Sequence, residues 1–225
     1  MRILAIDTSV GAASAGVFDV EGDCVEVARE RRDMARGHAE ALLPMVERVM
    51  AAAPGGFAGV DRIAVTVGPG SFTGIRVGIA AARAFGLACE APVIGVSTLV
   101  ALAAPLLAVE APGLAVAAID ARHGNFYVHG FSPVGRTLLS PRFCSGVEAV
   151  RQLGAGPFRL TGDGARGLAE VARLLGGATD LDGDLVAPDV AYVARIAALS
   201  DPARAPALPM YLKAPDVTAP AAAQR

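Results

Sequence analysis

The sequence predicts an α/β protein built from two similar halves, and three observations carry this prediction. The chain has 225 residues, of which 53% are hydrophobic, which is enough apolar material for one large or two small domains. Short β-branched runs alternate with segments of helical periodicity, as in α/β proteins. An apolar run that ends in an aspartate occurs twice, as ILAID at residues 3–7 and as AAID at residues 117–120.

The elements of the first half follow from periodicity and from turn residues. The run at 3–7 predicts a strand, and two further strands are predicted at 13–20 and 24–31, with Gly22 in the turn between them. Apolar residues recur every three or four positions over 38–53, which predicts a helix. The elements that follow are a strand at 63–67, a glycine loop at 68–71, a helix at 73–90, a strand at 92–96 and a short apolar helix capped by Ser97 or Thr98.

The second half repeats this order more loosely. A strand is predicted at 114–120, followed by a meander at 125–131 and 136–143, and then by a helix at 147–153, a strand at 157–162 and helices at 165–175 and 190–199. The expected organisation is a first unit over 1–110, a second unit over 111–215 and a disordered tail over 216–225.

Composition excludes several classes of protein. The formal net charge of −2 provides no global basic field that would recruit nucleic acid. The three cysteines, Cys24, Cys89 and Cys144, form no CxxC pair, so neither a disulfide framework nor a zinc site is expected, and a cytoplasmic location fits. The uncharged stretch 91–109 is interrupted by prolines and a glycine, which indicates a buried strand and a short helix and not a membrane span.

The loop GPGSFTGIR at residues 68–76 has the form of an anion-binding loop but lacks the known signatures. A Walker A loop requires lysine followed by serine or threonine, and a dinucleotide loop requires glycine where Thr73 stands. Ser71 does not lie in a GxSxG sequence, so no nucleophile elbow is predicted. His38 has Leu42 four residues later, so no helical HxxxH metal pair is formed.

A second candidate site is Asp7-Thr8-Ser9 at the end of the first strand. These residues could hold a metal-bound water or a phosphate, or they could form a turn closed by the aspartate side chain. Asp120 stands at the matching place in the second half, but the bulky Ala-Arg-His that follows it disfavours a nucleotide cradle. These residues are therefore taken as vestigial, with no catalytic residue, cofactor or metal expected in this chain.

The two helices of the first half are the strongest positive feature. The glycines and alanines of 73–90 predict unusually close packing against another helix, and methionines suit adaptable contacts. We expect these helices to contact a partner protein as well as their own sheet. The predicted interface residues are His38, Leu42, Met45, Val46, Val49, Met50, Thr73, Arg76, Val77, Gly78, Ala81, Ala82 and Phe85.

Several segments in this order resemble one known family. They are ILAIDTS, HAEALLPMVE, VTVGPGSFTGIRVGIAAARAFGLA, VIGVSTLVALA, AIDARHGNFYV and PMYLKAPDVT, and together they are similar to the TsaB (YeaZ) family. The chain departs from the family pattern at Asn125, where an acidic residue is common, and at Lys213, where an arginine is common.

The resemblance implies a duplicated ribonuclease-H-like fold of the actin, sugar kinase and chaperone ATPase type, with two mixed sheets flanked by helices. It also implies a non-catalytic subunit that pairs with the paralogue TsaD, associates with the ATPase TsaE and supports threonylcarbamoyl transfer to N6 of adenosine 37 in tRNAs that read codons starting with A. ATP and a metal would then be bound by the partners, and tRNA would be reached through the complex.

Other functions stay open at this point. A stand-alone ATP-dependent phosphotransferase of the same fold would need Asp7 and Asp120 to hold Mg-ATP, and a peptidase is a remote alternative because no protease constellation is present. We further expect the isolated chain to form a homodimer, since an exposed apolar helix pair tends to self-associate.

Overall fold

The computed structural model describes residues 1–181 and 185–213. Its first half forms a five-stranded mixed sheet in the order β3-β2-β1-β4-β5. The strands are β1 (Arg2–Asp7), β2 (Ala12–Glu21), β3 (Asp23–Asp33), β4 (Arg62–Gly68) and β5 (Val93–Ser97). The strand β1 pairs antiparallel with β2 and parallel with β4, so the carboxyl ends of β1, β4 and β5 lie at one edge.

A second five-stranded sheet has the same design. Its order is β10-β9-β6-β7-β8, with β6 antiparallel to β7 and parallel to β9. The strands are β6 (Leu114–Asp120), β7 (Asn125–Phe131), β8 (Thr137–Ser145), β9 (Phe158–Thr161) and β10 (Thr179–Leu181). The predicted repeat is thereby confirmed. The short strand β10 escaped prediction because three residues carry no periodic signal.

The helices lie close to where periodicity predicts them. They are α1 (His38–Ala52), α2 (Phe72–Ala88), α3 (Thr98–Leu107), α4 (Gly146–Leu153), α5 (Ala165–Leu174) and α6 (Val190–Leu199), with a short 3₁₀ helix at Gly56–Gly59. In both halves the order is three strands, helix, strand, helix, strand, helix. The described ranges contain no helix that is long and apolar enough to cross a bilayer.

The helices form layers around the two sheets. One face of the first sheet is covered by α1 and α2, and the outer face of the second sheet by α4 and α5. Of the two remaining helices, α3 packs on β6 and β7 of the second sheet, and α6 packs on the first sheet, where Phe18 is fully buried.

The helix α6 therefore contacts the sheet that residues 2–97 build, although in sequence it follows the second sheet. The Arg62 side chain fixes this contact by donating to the carbonyl oxygens of Ala197, at 2.5 Å, and Ser200, at 3.0 Å, at the carboxyl end of α6. The predicted boundary between residues 110 and 111 stays a prediction, and the predicted tail over 216–225 lies outside the described residues.

Candidate functional site

The carboxyl end of β1 carries a buried polar cluster centred on Asp7. Its Oδ1 accepts hydrogen bonds from the backbone N of Ser9 at 3.1 Å, from Ser9 Oγ at 2.6 Å and from Thr66 Oγ1 at 2.5 Å. The bond from residue i+2 to the aspartate is that of an Asx turn, one of the two interpretations left open above. Among the described residues, Oδ2 has no hydrogen-bond partner.

Burial decides the electrostatics of this cluster. Removal from water raises the pKa of Asp7, while the hydrogen bonds from Ser9 and Thr66 act in the opposite direction. His38 lies close enough to favour the carboxylate, but its Nε2 is engaged with the carbonyl oxygen of Val10 at 3.1 Å. The cluster is thus an internal polar contact of the first half.

The glycine loop packs directly onto this turn. The Thr8 Oγ1 donates to the Gly74 carbonyl oxygen at 2.7 Å, and the Ser71 backbone N donates to the Ser9 carbonyl oxygen at 2.7 Å. A Cβ added at Gly74 would lie 2.0 Å from the Thr8 carbonyl oxygen, and one at Gly70 would lie 2.1 Å from the Ser9 carbonyl oxygen. No side chain fits there without a backbone shift.

These contacts correct the prediction that the glycines let α2 approach another helix. The close neighbour of Gly74 and Gly78 is residue 8, and a Cβ at Gly78 would lie 2.5 Å from Thr8 Oγ1. The backbone of the first turn thus packs directly against the start of α2. Within the described ranges, no group of three or more His, Cys, Asp or Glu side chains could hold a metal.

The second half repeats the arrangement at the end of β6, as predicted for Asp120. The Asp120 backbone N donates to Asp163 Oδ1 at 3.0 Å, and Asp120 Oδ1 accepts from the backbone N of Arg122 at 2.8 Å. Burial raises the pKa of Asp163, and the negative charge of the neighbouring Asp120 adds to this shift, whereas the hydrogen bonds that Asp163 accepts from backbone N–H groups oppose it. A Cβ at Gly162 would lie 2.2 Å from the Ala118 carbonyl oxygen. The TGDG sequence at 161–164 is therefore the counterpart of the glycine loop. From the sequence, only the end of a strand was predicted at this place.

The predicted contact residues of α1 are not available to a partner. The stripe that includes Leu42 and Val46 packs into the core between α1 and the first sheet. A helix with one apolar stripe buries that stripe against its own sheet. Six predictions are therefore wrong as interface residues, namely His38, Leu42, Met45, Val46, Val49 and Met50, which are all buried.

The helix α2 presents a different picture. Gly78 and Ala82 are buried, so their prediction as contact residues is wrong. The other predicted contact residues of α2 remain accessible: Thr73 and Arg76 are exposed, and Val77, Ala81 and Phe85 are half-buried. One side of α2 packs on the sheet, and an adjacent side carries Arg76 and Arg83, which hold residues of the C-terminal segment. The remaining surface is here called the uncharged face and consists of Thr73, Val77, Ala80, Ala81, Ala84, Phe85, Leu87 and Ala88.

The uncharged face is apolar from Val77 to Ala88. Leu87 is 83% exposed, and three alanines, Ala80, Ala84 and Ala88, are also exposed. At its edge, Phe85 stacks on Phe57 with ring centroids 5.4 Å apart. Small residues along a helix allow a second helix to approach closely.

Comparison with known proteins gives consistent results. Residues 32–156 match the family model of TsaD, tRNA N6-adenosine threonylcarbamoyltransferase. The chain is similar to the tRNA threonylcarbamoyladenosine biosynthesis protein TsaB of Haemophilus influenzae, with 32% identity over 167 residues that cover 68% of either protein. It is 38% identical to the Escherichia coli protein of the same name over 56% of this chain, and so spans about half (53%) of that relative.

Solved structures agree with this. The structure of YeaZ from Pseudomonas aeruginosa superposes with a TM-score of 0.73 at 27% identity, covering 94% of this chain and 99% of that one. An Arthrobacter polyphosphate/ATP-glucomannokinase, at 12% identity and a TM-score of 0.50 over 88% of this chain and 98% of that one, shares the fold alone. The fold is thus the duplicated ribonuclease-H-like type found in sugar kinases, and the chain belongs to the TsaB (YeaZ) family.

Proposed function

We propose that this chain is a non-catalytic subunit in threonylcarbamoyladenosine biosynthesis, and that it pairs with a TsaD paralogue through the uncharged face of α2. The observation that carries the proposal is the uncharged face itself. Soluble proteins rarely expose a continuous apolar helix surface unless it meets a partner. The two arginines of α2 are turned away from it, toward Tyr211 and Ala207.

The contact is proposed to be a bundle in which a partner helix lies along α2. The alanines at positions 80, 84 and 88 recur every four residues, and Leu87 beside them would fill a groove in the facing helix. On α1 only the outer side can contribute, where Leu43 is 57% exposed.

The non-catalytic role is supported by the packing around Asp7. A phosphotransferase of this fold would need Asp7 and Asp120 to hold Mg-ATP. Asp7 is buried, its Oδ1 accepts three internal hydrogen bonds, and the described residues include no group of three or more His, Cys, Asp or Glu side chains that could hold a metal. We therefore assign ATP binding and the transfer step to partner subunits, TsaE and TsaD.

The same face offers a site for a second copy of this chain. An isolated α2 surface of this composition would self-associate, because pairing removes apolar area from water. We expect a homodimer that the paralogue displaces, since both would use the same residues.

The test is binding of the TsaD paralogue by size-exclusion chromatography and by calorimetry. The variant Ala84→Arg places a charge at the centre of the uncharged face, and should weaken binding by about a hundredfold or more, because that charge would be desolvated in the contact. Leu174→Arg is the matched control, since it adds the same charge to an exposed site at the end of α5. Unchanged binding by Ala84→Arg, with both variants folded, would overturn the proposed interface.

A further inference from the structure

A pocket of about 410 Å³ lies beside the arginine side of α2. Its walls come from three distant parts of the chain, namely the start of α2, Tyr127 of β7 and the segment 210–213. Pro69 and Gly70 of the glycine loop also line it. Neither the sequence patterns nor the proposed pairing through the uncharged face accounts for this pocket.

A stack of three side chains forms one wall. The guanidinium carbon of Arg76 lies 3.5 Å from the centre of the Phe72 ring, and Arg76 Nε donates to the Tyr211 hydroxyl at 3.0 Å. The two rings are 5.8 Å apart. Both are about half exposed, Phe72 at 53% and Tyr211 at 49%, so aromatic surface is available to a ligand.

The cation that the pocket offers to an anion is Arg76, and no described residue that lines the pocket is acidic. Lys213 also lines it, but its Nζ already lies 5.5 Å from the centre of the Phe143 ring. The hydrogen bond to Tyr211 uses only the Nε of Arg76, and the terminal nitrogens of a guanidinium suit the two oxygens of a phosphate.

Two hydrogen bonds to backbone carbonyl oxygens position the C-terminal wall of the pocket. The Met210 backbone N donates to the Val67 carbonyl oxygen at 2.7 Å, and Arg83 Nη2 donates to the Ala207 carbonyl oxygen at 2.6 Å. These bonds fix the C-terminal wall against β4 and α2. The aromatic and cationic groups are therefore already positioned for a ligand, which lowers the entropy lost on binding.

We propose that this pocket binds one unpaired nucleotide of RNA, with the base stacked on the exposed aromatic surface of Phe72 or Tyr211 and the adjoining phosphate on Arg76. Exposed aromatic rings next to cations are the elements by which proteins hold single-stranded nucleic acid. A base in a duplex has both faces covered, so the pocket selects unpaired nucleotides. A free mononucleotide shares this chemistry, and the experiment separates the two sources.

The experiment uses the full chain and a short fluorescent single-stranded oligoribonucleotide of mixed sequence, with binding followed by anisotropy. We expect Arg76→Gln and Tyr211→Ala each to weaken binding about tenfold, and Tyr211→Phe, which retains the ring, to weaken it less. Arg173→Ala removes an exposed charge from the last turn of α5 and serves as the control, with binding expected within about twofold of wild type. The thermal unfolding of each variant checks that it is folded.

Two competitors identify the ligand. A single-stranded RNA competitor should displace the probe, and a duplex of the same sequence should not. Displacement by AMP at an equal nucleotide concentration would show a mononucleotide site with the proposed base and phosphate contacts. The proposal is overturned if the chain binds none of these, if the duplex competes equally, or if Arg173→Ala weakens binding as much as Arg76→Gln. The measurement needs no paralogue, so its failure leaves the proposed pairing through the uncharged face untouched.

Discussion

Replacing Gly74 by alanine tests the packing of the glycine loop, because two physical effects predict opposite signs. Helix propensity alone predicts that alanine inside α2 stabilises the protein by about 1 kcal/mol. The structure places the new Cβ 2.0 Å from the Thr8 carbonyl oxygen and 3.2 Å from the Thr8 carbonyl carbon. Both are backbone atoms, so no rotation of a side chain relieves the overlap.

The expected result is a net destabilisation. Overpacking in a closely packed region costs about 3 kcal/mol at the upper end of its usual range, and the gain in propensity offsets about 1 kcal/mol of it. We therefore expect Gly74→Ala to lower the free energy of unfolding by about 2 kcal/mol. The assay is urea denaturation followed by circular dichroism, with the midpoint and slope fitted together.

Ala84→Gly in the exposed part of the same helix provides the matched control. It should cost about 1 kcal/mol from propensity alone, because residue 84 is exposed. We predict that both substitutions destabilise the protein, with Gly74→Ala the more severe. A Gly74→Ala protein that is as stable as wild type, or more stable, would refute the assigned role of Thr8 in excluding a side chain at position 74.

Three further predictions concern pH and the contact of α6. Burial lowers the pKa of His129 from 6.5 to about 4, so the folded state binds the proton less readily than the unfolded state and the protein loses stability as the pH falls below about 6.5. Thermal melts should show a loss of about 1 to 2 kcal/mol at pH 5 in the wild type and a smaller loss in His129→Gln. An equal loss in both proteins would contradict the role of His129. Burial raises the pKa of Asp7 above 3.8, so ionisation of Asp7 destabilises the folded state as the pH rises from 3.8 through the folded-state pKa. Over this pH range, urea titrations should show Asp7→Asn gaining stability relative to wild type. A stability difference that does not change with pH would count against this prediction. Arg62→Met removes the hydrogen bonds to the carboxyl end of α6 and should lower the free energy of unfolding by about 1 to 2 kcal/mol. Amide hydrogen exchange over residues 190–199 should become faster, and unchanged exchange there would exclude the assigned role of Arg62.

The order of strands and helices could be predicted because each element carries its own periodicity and its own turn residues. The aspartates at positions 7 and 120 also mark equivalent strand ends, since each is the last residue of the first strand of its sheet. The match between the two sheet orders needed the strand pairings, because three-residue β10 has no pattern of its own.

The candidate contact residues could be predicted only in part. In α1 the apolar stripe that stands out in the sequence is the one that the sheet buries, so Val46 and its neighbours were assigned to the wrong environment. In α2 almost every residue is small or apolar, and periodicity does not say which side meets the sheet. That choice depends on Gly74 and Gly78, whose neighbour is Thr8, far away in sequence.

The pocket beside the arginine side of α2 could not be predicted from local sequence. Its members Phe72, Tyr127 and Tyr211 lie on segments more than fifty residues apart, and each is unremarkable alone. Only long-range packing brings them together, and the bond between Met210 and Val67 fixes the segment that carries Tyr211.

We propose that this chain supports its paralogue by contact through α2 and performs no chemistry at Asp7. The most direct measurement is the formation of threonylcarbamoyladenosine in tRNA by the reconstituted complex, with wild-type chain or with one of three variants. We predict that wild type, Asp7→Asn and Leu174→Arg all support the modification, and that Ala84→Arg does not. Full activity with Ala84→Arg, or loss of activity with a folded and paralogue-bound Asp7→Asn, would contradict this account.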